Sequence, residues 1–374
     1  MKTIAAVLHQ MGLSQPYANS QPLELMEVDL DPPSRGEVLV RIRSVGLCHS
    51  DLSVINGTRP RPMPMALGHE AAGEIIELGP GVDEFEVGDH VVCTFVPSCG
   101  HCLPCSEGRP ALCDVGAKAN QQGTLLDGTS RLHFEGGTIN HHLGVSGFAE
   151  HAVISTRSLV KVEKDIPFEQ LALFGCAVLT GVGAVVNAAK VSLGSSVAIV
   201  GLGGVGLSAV LGAVASGAQT VFAVDINPSK LELARNLGAT HVFDARDPEV
   251  ILKIKQASSG GVEYAFETAG SVAAMNVAYA VTRPGGMTVT SGLPHPQEQF
   301  SIPQVTLTAE ERTVKGSYLG SSVPKRDIPR FISMFRRGLL PIDRLVSQTI
   351  SLNDINTGFD LLNSGAVSRV VVTL

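Results

Sequence analysis

Four cysteines close together could bind a metal ion. They lie in the run CGHCLPCSEGRPALC with the spacing C-x2-C-x2-C-x7-C, and they are Cys99, Cys102, Cys105 and Cys113. Four thiolates on one short loop with glycine and proline form the ligand set of a closed, tetrahedral structural zinc site. Two disulfides are a weaker interpretation without a recognisable secretory signal, and ferredoxin cluster spacings differ from this one. We therefore expect a structural zinc ion here.

The other three cysteines are scattered along the chain. Cys48 lies in GLCHSDL and Cys176 in LFGCAVLTGVGA, while a histidine, His69, lies in ALGHEAAGEIIELG. Two thiolates and one imidazole would leave the fourth position of a zinc ion open for water or substrate. Each of these residues could also be inert packing, because buried cysteines are common. Cys93, in VVCTF, fits that second interpretation.

A glycine-rich motif follows an apolar, strand-like run. The segment VAIVGLGGVG matches G-x-G-x-x-G, and its candidate cofactor-binding residues are Gly201, Gly203, Gly204, Val205 and Gly206. Between a strand and a helix, the first glycine permits a tight turn, the second lets the backbone approach a pyrophosphate, and the third lets helix and strand pack closely. The helix N-terminus offers unpaired N–H groups to the phosphates. The motif therefore predicts a dinucleotide site.

Two charged residues further along could bind the adenosine ribose. Asp225 ends the next predicted strand, nineteen residues after Gly206, where a carboxylate can accept hydrogen bonds from ribose hydroxyls. Asp225 could instead cap a helix. Lys230 could close over the same ribose, and a solvated lysine explains it equally well.

The elements that position these residues differ between the two parts of the chain. The 374 residues exceed the size of a single core, so two domains are expected. The first third contains short β-like runs with Gly, Pro and Asp turns, which favours a mostly antiparallel, partly closed β domain. From about Cys176, strands and helices alternate, which predicts an α/β, doubly wound parallel sheet. The last fifty or so residues are expected to return to the first domain.

Charge and hydropathy narrow the functional classes. The net charge of −7 argues against nucleic acid and anionic membranes as partners. The stretch from Val191 to Val224 has no charged residue, but its glycines favour a buried strand, turn and helix over a membrane span. We expect a soluble, cytoplasmic protein with reduced cysteines.

These motifs in this order resemble the zinc-dependent, medium-chain alcohol dehydrogenases over essentially the whole chain. The liver-type branch is the most similar, because the segment from Asp114 to Gly144 resembles the insertion of its long-chained members. The resemblance implies a GroES-like, mostly β catalytic domain at 1–178 and 322–374 and a Rossmann domain at 179–321. The liver-type insertion also implies a homodimer.

The resemblance assigns roles to individual residues. It implies a catalytic zinc on Cys48, His69 and Cys176, in addition to a structural zinc on the four-cysteine loop. The residues that it places around the zinc and the cofactor are Glu70 (a carboxylate behind the zinc), Asp51 (orienting the histidine ligand), Ser50 (taking the substrate proton), His49 and Arg369 (pyrophosphate contacts) and Thr180 (a nicotinamide contact). The residues that it places in the substrate pocket are Phe95, His142, Leu143 and Tyr318.

The implied function is hydride transfer between NAD and an alcohol, aldehyde or ketone, aromatic substrates included. Three positions depart from the family pattern: Ser53 replaces a frequent relay histidine, His142 replaces a common pocket phenylalanine, and Arg59 replaces an apolar or acidic residue. A glutathione-dependent formaldehyde dehydrogenase, acting on a thiol adduct, is the alternative, although its acidic residue is absent at Arg59. The preferred substrate and the roles of His142 and Arg59 stay open.

Two other classes compete with this interpretation. A zinc-ribbon module that binds nucleic acid is disfavoured by the acidic composition. A zinc-free reductase of the same superfold is disfavoured by Cys48, His69 and Cys176 together.

Overall fold

Strands form most of the first part of the chain and alternate with helices in the middle. The computed structural model describes residues 1–365 and 367–374. Its strands are β1 (Lys2–Leu8), β2 (Leu23–Leu30), β3 (Glu37–Gly46), β4 (Met65–Ala66), β5 (Glu70–Leu78), β6 (His90–Cys93), β7 (Leu132–Phe134), β8 (Gly137–His141), β9 (His151–Ser155), β10 (Leu159–Val162), β11 (Ser196–Val200), β12 (Thr220–Asp225), β13 (His241–Asp244), β14 (Val262–Glu267), β15 (Thr282–Thr290), β16 (Thr313–Gly316), β17 (Gln348–Ser351) and β18 (Val370–Thr373).

The helices are short in the first part of the chain and longer after Gly203. They are α1 (Tyr17–Ser20), α2 (His49–Ile55), α3 (Leu103–Ser106), α4 (Asp114–Gln122), α5 (Phe168–Leu173), α6 (Leu179–Gly183), α7 (Gly204–Ala215), α8 (Pro228–Asn236), α9 (Val250–Ala257), α10 (Val272–Val281), α11 (Gln304–Ala309), α12 (Pro324–Arg336) and α13 (Ile355–Ser364). Two π-helical segments, Phe174–Val178 and Ala184–Ala189, flank α6.

The chain divides into two units. The first is Met1–Cys176, Val323–Pro329 and Val346–Leu374, and the second is Ala177–Ser322 and Arg330–Leu345. The family resemblance implies a first domain that includes everything from residue 322 onward. The structure differs at Arg330–Leu345, because the turn at its end contacts α7 of the second unit.

The first unit is built from mainly antiparallel strands. One set closes into a barrel in the order β1-β2-β7-β8-β4, and a second sheet has the order β10-β6-β5-β3-β18-β17, with β9 also paired to β3. The returning strand β18 pairs antiparallel with β3. The core between these strands includes Phe148 and Phe359, whose rings meet edge to face at 5.9 Å. This confirms the predicted mostly β domain.

The second unit contains a six-stranded parallel sheet in the order β13-β12-β11-β14-β15-β16. The central strand β11 is apolar and buried, as a strand covered on both faces must be. The strand order reverses between β11 and β14, and open α/β sheets bind ligands at such a switch point. The predicted doubly wound sheet is confirmed.

The continuous helical segment Phe168–Ala189 is long and apolar enough to cross a membrane by length and composition alone. Its most apolar window is 89% buried within the protein. Burial to this extent is typical of a core helix in a folded protein.

Candidate metal centres and nucleotide site

The pairing of β3 with β5 brings two predicted metal ligands to the same end of the sheet. Gly46, the last residue of β3, pairs with Glu70, the first residue of β5. Cys48 follows Gly46 by two residues and His69 precedes Glu70 directly. A thiol and an imidazole separated by twenty residues in sequence therefore lie together.

Cys176 reaches this point from the π-helical segment Phe174–Val178. The preceding residue, Gly175, packs directly on β6, where a Cβ would lie 2.1 Å from the carbonyl oxygen of Cys93. Only glycine permits this approach. The ligand atoms of Cys48, His69, Glu70 and Cys176 all lie within 4.8 Å of one another, and all four residues are buried.

This cluster fits a zinc ion. Nε2 of His69 is buried and has no hydrogen-bond partner among the described residues, although an orphaned buried nitrogen is costly. A hydrogen bond from Cys176 is the main cause that holds the pKa of Cys48 well below that of an ordinary thiol. A thiolate, a second thiol and an imidazole lone pair are the soft and intermediate donors that zinc prefers.

The opposite edge of the His69 ring, at Nδ1, contacts Asp51, which lies on α2 and is fully buried. Oδ1 of Asp51 lies 3.1 Å from Nδ1 of His69 and accepts a hydrogen bond from the backbone N–H of Gly68 at 3.1 Å. Nδ1 of His142 lies 3.0 Å from the same oxygen. Burial would raise the pKa of Asp51, but the two imidazoles hold it well below its ordinary range.

The carboxylate of Glu70 forms an ion pair with a buried arginine. Nη2 of Arg369 donates to Oε2 of Glu70, and Nη1 donates to the carbonyl oxygen of Leu47 at 3.0 Å. Burial raises the pKa of Glu70 to about 7, against the opposing charge of Arg369. Arg369 is thus placed beside the ligand cluster, and its predicted pyrophosphate contact stays a prediction.

The structure brings some of the predicted pocket residues to the ligand cluster. The rings of Phe95 and His142 meet the His69 ring edge to face, with centroids 5.5 and 5.6 Å away. Leu143 is buried directly after His142, with a left-handed φ of 53°. Tyr318 belongs to the second unit and is 39% exposed.

Two predicted residues lie in the first turn of α2, directly after Cys48. His49 is exposed and Ser50 is half-buried. Ser53, one turn further along, donates its hydroxyl to the carbonyl oxygen of His49 at 2.7 Å.

The four-cysteine loop forms a second cluster. The sulfur atoms of Cys99, Cys102, Cys105 and Cys113 lie within 4.8 Å of one another. Backbone N–H groups point at these sulfurs: that of Cys99 lies 3.2 Å from Cys113, and that of Cys102 lies 3.3 Å from Cys99. A hydrogen bond from the backbone of Cys105 is the main cause that lowers the pKa of Cys102 to about 6. Four sulfur donors with N–H support suit a closed zinc site.

The glycine motif forms the predicted strand–turn–helix. Gly201 follows β11 with φ of 95°, and α7 begins at Gly204 without a side-chain cap, which leaves its first N–H groups for a ligand. A Cβ on Gly206 would lie 1.8 Å from the carbonyl oxygen of Gly201. A Cβ on Gly203 would meet nothing within 4 Å, so an open cradle faces this turn. The cradle fits a pyrophosphate.

The other predicted nucleotide residues lie in the same unit. The carboxylate of Asp225 ends β12 and accepts the N–H groups of Leu202 at 2.6 Å and Asn227 at 2.9 Å. Lys230 is half-buried on α8, and Thr180 is buried on α6. The turn after β11 and the end of β12 are therefore joined through Asp225.

Sequence reasoning missed two contacts of this site: those of His142 with Asp51 and of Arg369 with Glu70. Both residues were singled out, one as a departure and one as a cofactor contact. Their partners are distant in sequence, and no motif or spacing signals such a contact.

Comparisons with known proteins agree with this geometry. Residues 34–164 match the model of the alcohol dehydrogenase GroES-like domain, and residues 204–337 match that of the zinc-binding dehydrogenases.

Proteins similar over their whole length carry related names. The NDMA-dependent alcohol dehydrogenase of Amycolatopsis methanolica is 40% identical, with 100% of this chain and 99% of that protein covered. The S-(hydroxymethyl)glutathione dehydrogenase of Paracoccus denitrificans is 36% identical, with both chains covered completely. The crystal structure of benzyl alcohol dehydrogenase from Acinetobacter calcoaceticus superposes with a TM-score of 0.93 at 34% identity, covering 100% of this chain and 99% of that one.

Proposed function

This chain belongs to the zinc-dependent medium-chain alcohol dehydrogenases, and we propose that it oxidises primary or secondary alcohols, aromatic ones included, to aldehydes or ketones with NAD, and catalyses the reverse reaction. The observation that carries this proposal is the convergence of Cys48, His69, Glu70 and Cys176 on one buried point. We propose that the first unit binds a catalytic and a structural zinc ion and that the second binds NAD.

The residues around the ligand cluster have separate tasks in this proposal. A zinc ion held there supplies a Lewis acid that lowers the pKa of an alcohol hydroxyl. Asp51 fixes the His69 ring so that Nε2 faces the thiols. The Ser50 hydroxyl would accept the proton of the substrate, which then leaves to water. Phe95 and His142 supply walls beside the His69 ring.

We propose that Asp225 selects NAD over NADP. Its carboxylate is fixed by two backbone N–H groups at the carboxyl end of β12. A carboxylate in that position accepts hydrogen bonds from ribose hydroxyls and repels a 2′-phosphate. The expected preference for NAD is at least about a hundredfold, since the hydrogen bond to a charged group contributes roughly 1.5–3 kcal/mol and the repulsion of the 2′-phosphate adds to it.

A thiol-adduct substrate is the second candidate. It is favoured by the full-length similarity to the Paracoccus denitrificans S-(hydroxymethyl)glutathione dehydrogenase. It is disfavoured by Arg59, which stands where the resemblance implies an acidic residue in such enzymes.

A substrate panel with the purified protein tests these proposals. Benzyl alcohol, ethanol and S-(hydroxymethyl)glutathione are compared with NAD and NADP by the absorbance of the reduced nicotinamide. Turnover of an alcohol with NAD supports the proposal, and turnover of the thiol adduct alone favours the second candidate.

Two matched variants test the assignment of the metal sites. Cys176→Ser should remove one of two zinc ions per chain and abolish turnover while the fold persists. Cys102→Ser should remove the other ion and lower the melting temperature, because structural zinc contributes to folding. Equal loss of fold in both variants, measured by circular dichroism, would contradict the division.

We propose that the protein works in the cytoplasm. None of the seven cysteines forms a disulfide, which suits a reducing compartment. The proposed partners are small molecules and a second copy of the chain.

A further inference from the structure

We propose that His142 is a positioning residue for the catalytic metal ion and acts through Asp51, an inference that rests on the proposed zinc-dependent function. Asp51 is fully buried; its Oδ1 accepts the N–H of Gly68 at 3.1 Å and lies 3.1 Å from Nδ1 of His69 and 3.0 Å from Nδ1 of His142. Two imidazoles thus share one carboxylate, and only one of them belongs to the ligand cluster.

The contact fixes the tautomer of His142. Its Nδ1 is buried, lies 3.0 Å from Oδ1 of Asp51, and has no partner of regular hydrogen-bond geometry among the described residues. A buried N–H is costly when it is left unpaired, and a carboxylate is the strongest acceptor available to it. His142 therefore carries its proton on Nδ1 and presents it to Asp51, as His69 does.

The backbone holds the His142 ring in place. The N–H of His142 donates to Oγ of Ser146 at 3.0 Å, and the same oxygen lies 3.2 Å from Nδ1 of His141. Leu143 and Ser146 both adopt left-handed φ angles of 53°, which close the turn around this hydroxyl. His142 thus approaches Asp51 from a fixed turn that is separate from α2 and from β5.

This arrangement immobilises the carboxylate that orients a metal ligand. Gly68 and His69 are neighbours in sequence and hold Asp51 from one direction only. His142 holds it from a different segment, so the carboxylate cannot turn away from Nδ1 of His69. Groups that orient metal ligands typically change metal affinity by 10–100-fold when they are removed.

A purely space-filling role makes a different prediction. If His142 serves only as a wall beside the His69 ring, phenylalanine should replace it without effect on metal retention. If the Nδ1–H matters, His142→Phe should release zinc faster, and His142→Asn should behave like the native chain. The amide nitrogen of asparagine occupies the position of Nδ1, whereas that of glutamine lies one bond further out.

Zinc release from the holoenzyme to a chromophoric chelator tests the proposal without measuring activity. Release from the catalytic site is identified as the phase that is missing in Cys176→Ser. We expect His142→Phe and His142→Gln to release this zinc about tenfold faster, and His142→Asn to stay within about threefold of the native rate. The Asn and Gln pair keeps the test valid where the Phe variant does not fold.

Each outcome decides the question. Equal release rates for the Asn and Gln variants, or a native rate for His142→Phe, would overturn the positioning role and leave the proposed function intact. Absence of a phase that depends on Cys176 in the native protein would overturn the proposed function and this inference with it.

Discussion

At the scale of single residues, two serines on α2 lie three positions apart, and we expect only one of them to take part in proton transfer. Ser53 already donates its hydroxyl to the carbonyl oxygen of His49, whereas Ser50 lies two residues after Cys48 at the start of the helix. A positioned proton acceptor contributes about 10²–10⁴-fold to catalysis. We predict that Ser50→Ala lowers kcat with an alcohol substrate by this factor, measured by steady-state NADH formation.

Ser53→Ala is the matched control. It removes a hydroxyl from the same helix and should keep kcat within a few-fold of the native value. Ser53→His adds an imidazole that titrates near neutral pH, so it should raise the rate at low pH if proton release limits turnover. Full activity of Ser50→Ala would show that the proton leaves by another route.

Residue types and spacing predicted the four-cysteine cluster, and the family resemblance added Cys48, His69 and Cys176, but neither predicted the surroundings of these residues. The four cysteines of the loop are close in sequence, and Cys48 lies near Asp51 along the chain. His142 and Arg369 reach their carboxylate partners only because β3 pairs with both β5 and β18 and because a turn after β8 approaches α2. Contacts between residues so distant in sequence depend on tertiary pairing, which local patterns do not encode.

At the scale of elements, two glycines in the turn between β11 and α7 are expected to have different roles. Gly206 permits close packing, and Gly203 leaves room for a ligand. Gly206→Ala places a Cβ 1.8 Å from the carbonyl oxygen of Gly201 and should destabilise the second unit. Gly203→Ala meets no protein atom within 4 Å, so its methyl group would project into the proposed pyrophosphate cradle. We predict that Gly203→Ala keeps the native melting temperature and weakens NAD binding at least about tenfold.

Isothermal titration with NAD and thermal unfolding distinguish the two effects. The expected pattern is a loss of binding alone at Gly203 and a loss of stability at Gly206. Native NAD affinity in Gly203→Ala would place the pyrophosphate elsewhere.

The parallel sheet could be predicted from the sequence, whereas the domain to which helix α12 belongs could not. The alternation of strands and helices after residue 176 predicted the parallel sheet, because each apolar run is bounded by glycine or a charged turn. The assignment of residues from 322 onward to the first domain stays a prediction, because the amphipathic helix α12 carries no sequence signal of a boundary within it. Helix α12 begins in one unit and ends in the other.

At the scale of the whole molecule, a buried histidine couples stability to pH. The Nε2 atom of His141 accepts the backbone N–H of Arg131 at 3.1 Å, so protonation would break this bond. Burial, helped by the charge of Arg131, lowers the pKa of His141 to about 3. The unfolded chain binds this proton near pH 6.5 and the folded chain does not, so stability falls as the pH drops from about 6.5 towards 3.

The contribution of this one group reaches at most about 1.4 kcal/mol per pH unit. We predict that His141→Gln, whose Oε1 can accept the same N–H, reduces the slope of the unfolding free energy against pH between 6.5 and 5. Chemical denaturation at several pH values measures the slope. The control, His295→Gln, changes an exposed histidine, and an equal change of slope in both variants would refute the assignment to His141.

We predict that assembly uses the edge of the parallel sheet in the second unit. Strand β16 is the outermost strand, and all four of its residues are exposed in the single chain. A sheet edge with free backbone groups is normally paired or covered, and a second copy of the chain can pair with it edge to edge. We therefore predict a homodimer with twice the chain mass of 39.1 kDa, measured by light scattering after size exclusion.

A charge on this edge tests the prediction. Val314→Lys puts a lysine on β16, where two copies would meet through the same strand and repel each other, so the dimer should dissociate into monomers. Val305→Lys is the matched control, because Val305 is 68% exposed on α11 and lies off the edge strand; that variant should stay dimeric. A tetrameric or monomeric native protein, or a Val314→Lys variant that stays dimeric, would show that β16 is not the dimer contact. Monomers in both lysine variants would show only that the added charge disturbs the unit as a whole, so the stated outcome requires that the two variants differ.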